Sequence, residues 1–132
     1  MGGFGAAHLG FKFPEVFGTV SILSGAMLPA TSAGKFTAFG TDQEFFDANS
    51  PRKLIERNAE AIRGRTRIRI VAGDADRAVN TGPEQFHRIV ESLHIPHEWT
   101  LLPGVTHDVR MLYEALGDRT ERFYAAAFKS TR

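Results

Sequence analysis

Two β-rich runs in this chain lead into residues that can move protons. Asp74 and Asp76 follow the run Arg67-Ile-Arg-Ile-Val-Ala72, and His107 follows His97-Glu-Trp-Thr-Leu-Leu102. A carboxylate that holds an imidazole in one tautomer leaves the other ring nitrogen able to take a proton from a hydroxyl. In open α/β sheets the groups that meet a substrate lie beyond the carboxyl ends of the strands. Either aspartate could partner the imidazole. Either could also be a plain turn former, because aspartate is common in such loops.

The first residues carry a second signal. Met1-Gly2-Gly3-Phe4-Gly5-Ala6-Ala7 has little side-chain bulk. A nucleophile on a strained strand-to-helix turn needs small neighbours, and the helix behind it packs closely beneath a sheet. The glycines do not fit the Gly-x-Gly-x-x-Gly of a dinucleotide loop. A flexible glycine-rich start is the bland alternative.

Other polar and aromatic residues have simpler explanations. His87 falls in the middle of a helical segment and reads as surface or core. His94 and His97 flank Pro96 and read as structural. Asp108 suits a helix cap. Trp99, Phe45 and Phe46 could line a pocket, but core packing is the better expectation for each. No His, Asp and Glu grouping has metal-ligand spacing, so no metal and no cofactor are expected.

These groups need elements to position them. Gly2 to Phe13 reads as a helix with Phe4, Ala7, His8 and Phe11 on one face, stopped by Pro14. Phe17 to Leu23 reads as a buried strand, followed by irregular chain from Ser24 to about Gly40. Asp42 to Asn49 suits a helical turn. Ser50 and Pro51 open a helix to about Arg63, with Leu54, Ile55, Ala59 and Ile62 inward and Gly64 ending it. Arg67 to Ala72 is the second strand. Thr81-Gly-Pro-Glu84 has the form of a capping box, opening a helix that buries Phe86, Ile89, Val90 and Leu93. His97 to Leu102 is the third strand, and Val109 to Leu116 and Arg119 to Lys129 are helices. Strands alternating with helices predict the α/β class, with parallel strands and crossover helices.

Composition narrows the partners. The 132 residues suit one modest domain, and a net charge of +1 argues against nucleic acid or an anionic membrane surface. No apolar run is long enough to span a bilayer. With no cysteine, disulfides and thiolate metal sites are excluded. The compartment stays open.

Four segments carry a family resemblance. Met1 to Ala7 matches the residues after the serine in the esterase elbow Ser-Met-Gly-Gly-Phe/Tyr-Gly-Ala. Val71-Ala-Gly-Asp-Ala-Asp76 resembles a strand-then-acid turn, Gly-x-x-Asp. Phe86 to Glu98 resembles a helix and its Leu-Gly-Ile-Pro-His-Glu junction, with His94 where glycine is usual. Pro103-Gly-Val-Thr-His-Asp108 resembles Pro-Gly-x-x-His. Together they resemble the putative-esterase family of alpha/beta-hydrolases, which includes feruloyl esterases, S-formylglutathione hydrolase and mycolyl transferases.

The resemblance implies the C-terminal part of an alpha/beta-hydrolase fold, a single partial domain over residues 1–132. It would begin just after the nucleophile serine, with the N-terminal strands missing. It implies carboxylic-ester hydrolysis through an acyl-enzyme. Asp76 would be the acid, His107 the base and the backbone N–H of Met1 an oxyanion donor. The partner would be a small-molecule ester. Acyl transfer to an alcohol and a non-catalytic binding module are the alternatives. An apolar strand without its neighbour implies self-association through the exposed sheet edge.

Overall fold

The computed structural model describes residues 1–29 and 40–129. The irregular chain expected up to about Gly40 therefore falls largely outside the described residues. A parallel sheet of three strands, in the order β1-β2-β3, forms the centre. The strands are β1 (Thr19–Leu23), β2 (Arg67–Gly73) and β3 (His97–Leu102). Their register pairs Ile22 with Ile70 and Ile70 with Trp99.

Helix α1 (Gly2–Lys12) precedes the sheet, and α2 (Gln43–Asn49), α3 (Pro51–Arg57) and α4 (Ala59–Ile62) connect β1 to β2. Helix α5 (Gly82–Ser92) connects β2 to β3, and α6 (Val109–Leu116) and α7 (Arg119–Lys129) complete the order. The α/β class with parallel strands and crossover helices is thus observed.

Helix α1 buries Gly3, Phe4, Ala7, Gly10 and Phe11, a stripe at helical spacing. Two of its glycines set its distance from β1. A methyl group at Gly10 would overlap Val20 Cγ2, and one at Gly3 would overlap the carbonyl oxygen of Leu23. Gly5, expected to serve the close packing, has open space where a side chain would go. The helix rolls so that Gly3 and Gly10, seven residues apart, share the buried face.

Most of the core lies between the sheet and α1, α3 and α5. It includes Phe4, Phe11, Val20, Ile22, Leu54, Ile55, Ile68, Ile70, Phe86 and Val90. A smaller cluster of Val71, Leu102, Val105, Leu112 and Leu116 lies on the other face beneath α6. The middle strand β2 is buried on both faces, Arg69 included. The Arg69 side chain bonds Ser21 Oγ through Nε at 3.1 Å and lies 4.6 Å from the Phe123 ring centroid.

Several local expectations are corrected. The first strand starts at Thr19 rather than Phe17, and it alternates in burial because only its Val20 and Ile22 face meets the main core. The helix expected from Pro51 to Arg63 breaks at Asn58. There the side-chain Nδ2 donates to the carbonyl of Phe11 at 2.6 Å, satisfying an acceptor in the last turn of α1. Ser50 makes no side-chain cap. The capping box at Thr81 does not form either. Thr81 Oγ1 accepts from Gln85 Nε2 at 3.1 Å, while Glu84 pairs with Arg88 at 2.7 Å. Ile89 and Leu93 of the α5 segment are only partly buried.

Candidate active site

The carboxyl ends of all three strands converge on one edge of the molecule. β2 ends at Gly73, where a methyl group would overlap the carbonyl oxygen of Val105. Glycine there lets the turn after β2 lie directly against the loop after β3. Backbone bonds then join the two, from Asp74 N to Leu102 O at 3.1 Å and from Ala75 N to Val105 O at 3.2 Å. Asp74 adds a third tie, because its Oδ1 accepts from the N–H of Gly104 at 2.7 Å. Gly104 takes a left-handed φ of 71° to present that N–H.

This bracing sets Asp76 against His107. His107 Nδ1 lies 2.8 Å from Asp76 Oδ2. The other carboxylate oxygen accepts from the N–H groups of Ala78 at 3.0 Å and Val79 at 3.3 Å. The Asp76 side chain is fully buried, whereas that of His107 is 48% exposed. An ionised carboxylate only accepts, so Nδ1 carries the proton and Nε2 is left as a base. Burial by itself would raise the Asp76 pKa. The His107 hydrogen bond, the nearby Ser24 hydroxyl, the Val79 N–H and the His107 charge together outweigh it. The carboxyl is held below its ordinary value.

His107 opens on a cleft of about 500 Å³, which Met1, Gly2, Gly3 and Ser24 also line. Met1 caps the N-terminal end of α1, the positive end of the helix dipole. His107 and Met1 thus share one cleft, with Asp76 buried behind the imidazole, and Asp74 is turned to the Gly104 backbone instead. Asp108 caps α6 by accepting from Met111 N at 2.9 Å. A carboxylate-held imidazole beside a helix N-terminus can abstract a proton and face a developing negative charge.

The remaining histidines lie elsewhere. His87 Nδ1 is 2.7 Å from His97 Nε2, and His97 Nδ1 is 2.8 Å from the carbonyl oxygen of Ile95. A carbonyl accepts only, so His97 is protonated on Nδ1 and His87 must donate from its own Nδ1. His87 also stacks on Trp99 with 4.9 Å between centroids. Burial, then the neighbouring His97, lowers its pKa. His94 adopts φ 53°, a left-handed conformation that explains why glycine suits that position in the resembling motif. Phe46 is buried, whereas Phe45 is 51% exposed and so departs from the core role expected for it.

Sequence reasoning passes over two residues. Ser24, at the end of β1, reads there only as the start of a loop. Gly73 reads only as part of a turn, and its single signal is a glycine directly before an acidic turn.

Comparison with known proteins bears on the family and the fold. A family model described as "Putative esterase" matches residues 1–130. Among solved structures, the chain is similar to FphF, a fluorophosphonate-binding serine hydrolase of Staphylococcus aureus with substrate bound. The TM-score is 0.68 at 14% identity, over 92% of this chain and 50% of that one. The chain therefore spans about half the length of that structure. No curated protein matches.

Proposed function

We propose, from the premise that the chain belongs to the putative-esterase family of alpha/beta-hydrolases, that it carries the acid and base of a serine carboxylesterase. The observation that carries this reading is the 2.8 Å contact between buried Asp76 and His107, which lines the cleft shared with Met1.

The nucleophile is a serine directly preceding Met1 in the whole protein. His107 Nε2 takes the serine proton as the oxygen attacks the ester carbonyl. The backbone N–H of Met1, then within a peptide bond, donates to the oxyanion. The intermediate collapses, and His107 gives the proton to the departing alcohol. Water then repeats the sequence on the acyl-enzyme, and the acid leaves. Asp76 holds the imidazole in the required tautomer throughout and stabilises its charged form. An acyl transferase would differ only in that an alcohol replaces this water.

The test compares two polypeptides. The chain beginning at Met1 should not turn over p-nitrophenyl acetate and should not be labelled by a fluorophosphonate probe. A polypeptide extended upstream through Gly-x-Ser and the earlier strands should do both. Turnover by the shorter chain, abolished by His107→Ala, would mean that another residue is the nucleophile. Absence of labelling in the extended, folded polypeptide would favour a binding module without catalysis.

A second expectation concerns assembly. Among the described residues, the outer edge of β1 pairs with no strand. Such an edge templates pairing with another chain. A second copy is the occupant we expect for the chain beginning at Met1, so sedimentation velocity should resolve species heavier than one chain that grow with concentration. A monodisperse monomer at high concentration would refute this.

A further inference from the structure

Ser24 combines two locally unfavourable features. It is a non-glycine residue at φ 43°, although Gly25 stands next to it and tolerates that region freely. Its hydroxyl oxygen is buried and has no hydrogen-bond partner. A strained backbone and an unsatisfied buried polar atom at one residue point to a role other than packing.

Its position supplies that role. The Ser24 N–H bonds the Val71 carbonyl at 2.9 Å, so Ser24 is the first residue past β1 on the edge that holds Asp76 and His107. Helix α1 presses on the same turn, since a methyl group at Gly3 would lie 2.7 Å from Gly25 Cα. A methyl group at Gly25 would in turn lie 2.5 Å from Met27 Cε. Ser24 brings a polar side chain to this tight corner, beside the apolar Met27 and Ile22, and it lines the cleft with His107.

The hydrogen-bond inventory of Asp76 is complementary. A carboxylate offers about four acceptor sites. Ala78 N, Val79 N and His107 Nδ1 take three. One acceptor site remains on the buried carboxylate, and the Ser24 hydroxyl, buried at the same strand-end edge and on the cleft that His107 lines, lacks an acceptor. We propose that Ser24 is a positioning residue whose hydroxyl turns to donate to Asp76 and so fixes the carboxylate plane that addresses His107. This rests on the reading of Asp76 and His107 as acid and base. It names a fourth residue that supports them without touching substrate. A hydroxyl near the Asp76 carboxyl acts in the direction of its lowered pKa.

The test follows the Asp76 carboxyl itself and needs neither substrate nor nucleophile. NMR titration of the isotope-labelled chain compares the wild type with Ser24→Ala and Ser24→Gly. Alanine keeps the backbone strain and removes the hydroxyl; glycine removes both. The titratable group facing Asp76 is His107, and it stays in both variants. Asp76 is depressed in the folded chain, so its stabilisation is full above the ordinary carboxylate pKa and is lost as pH falls through the lower folded value. Loss of one donor should move its midpoint up by about half to one pH unit in each variant. The His107 Nδ1 proton should also exchange faster with water. An unchanged midpoint in both variants would reduce Ser24 to a turn former and overturn the proposal. A raised midpoint, together with an inactive extended polypeptide, would keep the Ser24 contact and sink the esterase reading instead.

Discussion

In the polypeptide extended through the nucleophile, His107→Ala lowers kcat on p-nitrophenyl acetate roughly ten-thousandfold, with KM little changed. Removing the base leaves the serine hydroxyl with nothing to take its proton, and losses of this order result when such a unit is broken. In barrier terms the loss is about 5 kcal/mol. Asp76→Asn should cost somewhat less, about a thousandfold, because the amide can donate to Nδ1 and stabilise the wrong tautomer. Asp74→Asn should change kcat less than about threefold, since Asp74 braces Gly104 rather than the imidazole. Steady-state kinetics of the three variants decide the matter. A severe Asp74→Asn beside a mild Asp76→Asn would show the acid to be misplaced by two residues.

Gly73→Ala should be the most damaging small substitution for the fold of the site. The added methyl meets the carbonyl of Val105, which is backbone and cannot swing aside as a side chain would. The loop that carries His107 must move, along with the bonds from Asp74 N and Ala75 N into that loop. Overpacking against backbone of this kind costs about 3 kcal/mol or more. Gly5→Ala gives the contrast, because open space surrounds that position within α1. It should stabilise by roughly 0.5–1 kcal/mol through helix propensity. Chemical denaturation of the two variants beside the parent measures both effects. A harmless Gly73→Ala would mean that the two loops are not held together as described.

The element order is legible in the sequence because it rests on local chemistry. The β-rich run of Arg67 to Ala72, the stripe through Phe86 and Val90, and the stops at Pro14 and Gly64 each act over a few residues. The helices Val109–Leu116 and Arg119–Lys129 and the strand His97–Leu102 have the bounds expected of them. The acidic turn and the histidine loop are visible as strand ends for the same reason. Motif resemblance favours Asp76 over Asp74, but only position in a pattern supports that choice.

Contacts between distant segments decide the rest. Asp74 and Asp76 are the same residue type in one turn, and no local propensity separates them. The approach of Gly73 to Val105 separates them, because it directs one carboxylate to the Gly104 N–H and the other to His107. Asn58 breaks an otherwise continuous helix because its amide reaches Phe11, 47 positions away. Ser50 and Thr81 look like caps in isolation, yet neither hydroxyl caps its helix in the structure. The sequence by itself determined which elements form and which residue types stand at their ends, since propensity and periodicity are short-ranged. Only the tertiary structure determined which aspartate meets the imidazole and what Ser24 faces, since those pairings depend on how closely the backbones of separate strands and helices approach.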